Sequence, residues 1–566
     1  MRGMYADGCH AATSRFSSRL ATCAALAGWL AATFAATSTT RADETKAETA
    51  ATREYAVAAG LQNKKLFAQA ATHWARFIET YPNDERLDRA NHYLGICQLQ
   101  VGEADKAVVT FRLVLQKFPQ FAARDAAQFN LALALYHLAM KSKKPEEFTA
   151  AGEAFAAVPA NFPQSKHAAG ALLYQGECVY AAGDVKTAAG LYEKLIVTYA
   201  QSELVPDARY ALGAAQQDLG LDEAAAATFQ AFLAAHAIHD QANECRLRLG
   251  LTQLRMKKYA EAAQTLEQAA GTAEFAQADV ALLRQAQCMG ELGQVDQAVA
   301  LYLSLPQKLP KSAQIGAAQT AAGKLLYHTG KFAEAQSAFS AAVAGNGEAA
   351  PEASYWLART LVKLNQAPAA LAETERAAQS YAQSSFLPQL QLGRIDVLYE
   401  MPDRRKETLP LYLQFAAQRP DHELAPQAAY MASLAALTLG EHAEAHKQAT
   451  AFLANAKYAA HALVPEVIFV AAESLVLAAG VNDAVPQAVE AEKLYRDLLA
   501  RFSTHRHVPA ALVRVGLCLY LQKKYDAAAN ELSNVFGKLL DPALGAEARL
   551  LVGRAHRDAA RLQAAV

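Results

Sequence analysis

The sequence predicts an all-α solenoid of about fourteen helix–turn–helix units. Three observations predict it. A small residue, usually Gly or Ala, recurs about every 37 residues. Around each such marker the same pattern returns, with a small or polar residue seven later and Ala twelve later. It is visible in HYLGICQLQVGEADKA from His92, LLYQGECVYAAGDVKTA from Leu172 and LVRVGLCLYLQKKYDAA from Leu512. The composition is Ala-rich with few β-branched runs, which favours helix. A chain of 566 residues exceeds what one core serves, and a regular period resolves that excess into an array.

The N-terminus differs from the rest. Arg15 and Arg19 precede the apolar run Leu20–Ala36, and TSTTRADE follows. A basic segment, an apolar segment and a small residue before polar sequence predict a signal peptide over residues 1–42, cleaved after Ala42. The protein is then exported, periplasmic or otherwise. The alternative is an uncleaved inner-membrane anchor over residues 20–36. Cys23 starts the apolar run rather than ending it, which argues against lipidation. Residues 43–50 read as a short polar linker and 51–566 as the solenoid.

The markers are Ala58, Gly95, Ala132, Gly176, Gly213, Gly250, Ala286, Gly323, Ala358, Gly393, Ser433, Ala472, Gly516 and Gly553. Each lies on a first helix, A, often with a ring three before it, as at Tyr55, His92, Phe129, Tyr210, Tyr355 and Tyr430. Pro206, Pro351, Pro426, Pro465 and Pro509 stand seven before a marker and suit the first turn of helix A. Gly102, Gly183, Gly220, Gly293, Gly330 and Gly440 mark a tight turn. Helix B follows, with Ala at positions such as Ala107, Ala225 and Ala335. Small residues there and at the marker let A and B approach closely. Rings sixteen after the marker, such as Trp74, Phe111, Tyr192 and Phe339, would fill the space between units. Tyr81-Pro82, Phe118-Pro119, Phe162-Pro163 and Leu309-Pro310 end helix B. KSKKPEE and GVNDAVP, in the units marked at Ala132 and Ala472, read as longer turns.

Segments such as YLGICQLQVGEADKA, ALGAAQQDLGLDEAA and AAGKLLYHTGKFAEA resemble the tetratricopeptide repeat family. The resemblance covers roughly Ala51 to the end and implies a right-handed superhelix. Units of about 37 with YP or FP ends look most like the bacterial periplasmic and outer-membrane-assembly subclass. This implies an exported, non-enzymatic scaffold that binds protein partners along a concave groove, in envelope assembly or division.

Gly553 is the last marker, and Ala565 stands twelve after it. The last repeat thus reads as incomplete, with helix B unfinished at Val566. The alternative function follows from that: a regulatory half of an enzyme whose catalytic domain lies beyond residue 566.

Chemistry-bearing motifs are scarce. Lys and Arg number 54 against 55 Asp and Glu, so no net field favours nucleic acid. Cys97, Cys178, Cys288 and Cys518 each fall two after a marker, in units too far apart for a disulfide, and read with Cys245 as core. His442 and His446 are four apart, but His442 takes a place that other units fill with Phe or Tyr. HAIHD at His236 and HRH at His505 read as surface loops. No P-loop, GxSxG or HExxH pattern is present, so no cofactor, metal, small-molecule substrate or catalysis is indicated. The candidate partner-binding residues are Arg248, Arg284, Lys324, Arg359 and Arg394, one per central unit. Two before or one after a marker, they would stack into a cationic stripe for an acidic segment or C-terminal carboxylates.

Overall fold

The computed structural model describes residues 42–272, 274–478 and 485–565. The expected signal peptide therefore lies outside the described residues, apart from Ala42. Among the described residues are 27 α-helices and no strand. No described helix is long and apolar enough to cross a membrane.

The chain divides into two bodies, residues 1–195 and 196–566. The first holds α1 (Ala42–Asn63), α2 (Phe67–Thr80), α3 (Leu87–Gln100), α4 (Ala104–Lys117), α5 (Arg124–Ser142), α6 (Pro145–Asn161), α7 (Ala168–Ala181) and most of α8 (Val185–Thr198). The second opens with α9 (Val205–Asp218), α10 (Asp222–Ala235), α11 (Ala242–Arg255), α12 (Tyr259–Ala270), α13 (Ala278–Glu291), α14 (Val295–Lys308), α15 (Ile315–His328) and α16 (Phe332–Ala344). It continues with α17 (Ala350–Lys363), α18 (Ala367–Ser380), α19 (Leu387–Glu400), α20 (Thr408–Gln418), α21 (Ala425–Thr438), α22 (His442–Ala454), α23 (Val464–Ala478), α24 (Val485–Arg501), α25 (Val508–Leu521), α26 (Tyr525–Ser533) and α27 (Pro542–Ala565). Odd-numbered helices up to α25 are A and even-numbered ones B. Within each body every helix packs mainly on its neighbours in sequence. The fold is an all-α repeat solenoid.

The expected punctuation recurs in the structure. All six turn glycines take positive φ, and Gly102 sits at +85°. Lys65, Lys257, Asn365 and Lys523, also seven after a marker, adopt the same left-handed turn at φ 58–62°. Tyr81, Phe118, Phe162 and Leu309 are the residues that end helix B.

Marker and ring meet directly. A Cβ at Gly213 would lie 2.5 Å from the Phe229 ring, and one at Gly95 would lie 2.8 Å from Phe111. The ring sixteen after the marker therefore packs onto its own marker, and also reaches the next unit. Trp74, for example, lies 5.4 Å from Tyr93, and Phe339 stacks on Trp356 at 6.4 Å.

Four expectations need correction. Helix α1 already runs through residues 43–50, so they are helix rather than linker. KSKKPEE is no long turn: Lys143, at φ +59°, makes a tight one, and the extra residues lengthen α5 and α6 to 19 and 17 residues. GVNDAVP falls mostly outside the described residues. The last expected pair is instead one 24-residue helix, α27. Ala548 and Ala555 are buried five before and two after Gly553, but a Cβ at Gly553 would meet nothing within 4 Å and the helix passes straight through the expected turn.

The fourth correction concerns register. Helix A begins eight before its marker, as Leu87 precedes Gly95 and Val205 precedes Gly213. Helix α19 begins at Leu387, so its marker place is buried Ile395, not Gly393. Leu390 and Val397 then fall on the core places five before and two after.

Candidate partner-binding face

Within residues 196–566 several A helices touch the A helix of the next unit, α17 against α19 and α25 against α27 above all. The A helices at these steps share one side of the array. The five sequence-predicted cations all lie on A helices: Arg248 on α11, Arg284 on α13, Lys324 on α15, Arg359 on α17 and Arg394 on α19.

Most of them are engaged inside the array. Arg248 donates through Nε to the Tyr210 hydroxyl at 2.8 Å and through Nη1 to Gln217 Oε1 at 3.1 Å, both on α9. Glu244 Oε1 stands 3.6 Å from its Nε. Arg284 donates to Gln287 Oε1 at 2.9 Å on its own helix. Lys324 pairs with Glu352 of α17 at 2.9 Å. Arg394 pairs with Glu375 of α18 at 3.1 Å. In the corrected register Arg394 falls one before its marker, where it meets the preceding B helix rather than joining the other four.

Arg359 differs. It is exposed and bonds a hydroxyl rather than a carboxylate, donating to Tyr355 at 2.8 Å. Its guanidinium lies 5.1 Å from the Trp356 ring, 5.5 Å from Tyr355 and 5.9 Å from Tyr327. Lys324 Nζ sits 5.7 Å from the other occupant of this cluster, Trp356. The rings hold both cations on one patch of α15 and α17. Asp396 of α19 adds a nearby negative charge.

Two features escaped the sequence reading. Arg514 occupies the same place as Arg248 and Arg284, two before its marker. It bridges Glu473 at 2.7 Å and Glu547 at 2.5 Å. The spacing rule, carried to the unit marked at Gly516, would have found it. The second is a row of carboxylates one after the marker. Glu177, Asp396 and Glu473 accept hydrogen bonds from Tyr192, Tyr412 and Tyr495 on their own B helices, at 3.1, 2.7 and 2.6 Å.

The HRH segment is no free loop. Glu466, near the start of α23, gathers His505 at 3.3 Å, Arg506 at 2.9 Å and His507, whose ring stacks on Phe469 at 4.1 Å. These partners are about forty residues apart, beyond the reach of a local reading. His446 donates through Nδ1 to the Ala471 carbonyl, 3.2 Å away, and its Nε2 lies 3.8 Å from Glu490. No group of three metal-ligating side chains is assembled among the described residues. Cys97, Cys178, Cys245, Cys288 and Cys518 are free and buried. Burial pushes the Cys97 and Cys518 thiols up to about 12 and that of Cys288 to about 11. Such thiols are core, not nucleophiles.

Two family descriptions, both "Tetratricopeptide repeat", match the sequence. One covers residues 320–385 and 490–535, the other residues 170–202, 244–271 and 280–312. With paired helices, left-handed turns and markers packed on rings already in place, that decides the matter. The chain carries tetratricopeptide repeats. Among solved structures, a tetratricopeptide repeat protein from Parabacteroides merdae ATCC 43184 is similar at 16% identity, over 47% of this chain and 98% of that one, with a TM-score of 0.32. No curated protein matches the sequence. Tetratricopeptide repeats mediate protein–protein interaction, and the fold is in general non-catalytic. This repeat protein is accordingly an interaction scaffold.

Proposed function

We propose that this repeat protein is an exported scaffold of the cell envelope, and that the A-helix face of residues 196–566 captures an acidic segment of a protein partner. The observation that carries this is Arg359, an exposed guanidinium laid against Trp356, Tyr355 and Tyr327 with Lys324 on the same rings. A cation held in place by rings loses little side-chain freedom on binding, and its remaining N–H donors suit a carboxylate. Arg248 and Arg284 extend the same side of the array, but their internal hydrogen bonds give them a positioning role.

The test is a displayed peptide library selected against the full chain and against its Arg284→Glu/Arg359→Glu variant. Enrichment of acidic peptides on the natural chain, lost in the variant, supports the reading. Equal enrichment on both, or none for acidic sequences, overturns it. Export is tested separately, by the N-terminal residue of the protein isolated from its native cells. A start at Asp43 supports cleavage, and a start at Met1 supports the anchor.

A further inference from the structure

Most junctions between units share one contact. The chain leaves helix B through two successive turns, and a side chain then accepts the N–H two residues ahead, at the entry to the next helix A. That N–H has no partner within the helix it precedes. Asp84 accepts from Arg86 at 2.9 Å, Ser165 from His167 at 3.0 Å, Ser202 from Leu204 at 3.2 Å, Ser312 from Gln314 at 2.9 Å and Ser384 from Phe386 at 3.1 Å. At four further junctions the acceptor is a histidine Nδ1. His239 accepts from Gln241 at 3.3 Å, His422 from Leu424 at 3.1 Å, His461 from Leu463 at 3.1 Å and His505 from His507 at 3.3 Å.

Serine accepts at any pH. An imidazole accepts only while Nδ1 carries its lone pair, so the protonated ring points one N–H at another. We propose that the junctions closed by His422 and His461 are acid-sensitive hinges, which lose their closing hydrogen bond when the ring is protonated, while the serine junctions do not.

The surroundings favour these two. His422 is flanked by Asp421 and Glu423, but Asp421 is taken by Lys457, and Arg419 donates to Gln391. His461 lies edge-on to the Phe452 ring at 6.3 Å. Among the described residues neither forms an ion pair with a carboxylate that would hold the protonated ring in place. His505 is the opposite case. Its Nε2 lies 3.3 Å from Glu466 Oε1, and Arg506 and His507 share that carboxylate, so protonation there gains an ion pair as it loses an acceptor. His239 stands 6.3 Å from the His236 ring and beside Asp240, and is the weaker hinge by its longer hydrogen bond.

Hydrogen exchange of the full chain at pH 7.5 and 5.0, corrected for intrinsic rates, tests this. Opening at Leu424 and Leu463 should rise about tenfold in acid relative to Leu204, Gln314 and Phe386. His422→Ser and His461→Ser, which install an acceptor this chain already uses, should remove the rise. His422→Phe, the residue type at Phe121 and Phe275, should leave that junction open at both pH values. Parallel behaviour of serine and histidine junctions in the natural chain would overturn the proposal, as would a rise that survives the serine variants. The first comparison needs no variant to fold.

Discussion

The Tyr412 hydroxyl donates a 2.7 Å hydrogen bond to the Asp396 carboxylate, tying helix α20 to the marker turn of α19. The same tie joins Tyr192 to Glu177 and Tyr495 to Glu473, each carboxylate one after its marker. It therefore locates the unit's register at Ile395 independently of helix ends.

Burial pushes the Asp396 carboxyl up to about 6, although the Tyr412 hydrogen bond and Arg359 pull the other way. The fold thus prefers the protonated acid. Its contribution to stability is complete below the ordinary carboxyl value of 3.8 and is lost as pH rises through about 6. Denaturant titration should show the natural chain losing stability over that window. Asp396→Asn should remove that component, so the loss of stability between pH 4 and 7 is smaller in the variant than in the natural chain.

Gly213 tests the close approach of A and B. In an open helix, Gly→Ala stabilises by roughly 0.5–1 kcal/mol. At Gly213 the new Cβ meets Phe229 at 2.5 Å, so Gly213→Ala should destabilise by about 1–3 kcal/mol. Gly190→Ala on α8, where a Cβ meets nothing within 4 Å, should keep the stabilising sign. Thermal melts of the two variants compare the signs directly.

Arg514 joins α23, α25 and α27 through Glu473 and Glu547, and is only 22% exposed. Arg514→Ala leaves Glu473 with Tyr495 alone and should destabilise the C-terminal units by about 2 kcal/mol. Limited proteolysis should then cut first within residues 502–566. Arg514→Lys, which cannot bridge two carboxylates in a fork, should recover only part of the loss.

Much of this was legible in the sequence. The period, the turn glycines, the prolines that open helix A and the aromatic ends of helix B all depend on local backbone chemistry. That chemistry repeats in every unit. The misplaced marker in α19 shows the limit. Gly393 resembles the recurring small residue, yet buried Ile395 holds its place; the 3₁₀ turn Arg405–Glu407 lies between α19 and α20, and Tyr412 reaches the marker turn at Asp396. Pro388, seven before Ile395, carried the correct register all along. The partners of Arg248, Lys324 and Arg394 were illegible for another reason. Each is chosen by contacts 19 to 38 residues away, between units whose helix faces the period alone does not orient. Glu466 and its three basic neighbours are invisible on the same grounds.

The A face itself is the central claim, and photo-crosslinking in the native cells tests it most directly. A benzophenone residue at half-buried Ala321 on α15, two before its marker, reports the A side, and one at exposed Ser337 on α16 reports the B side. Crosslinks to a partner from position 321, lost on Arg359→Glu and absent from 337, are the predicted result. Crosslinks from 337 alone, or from 321 regardless of Arg359, would contradict it.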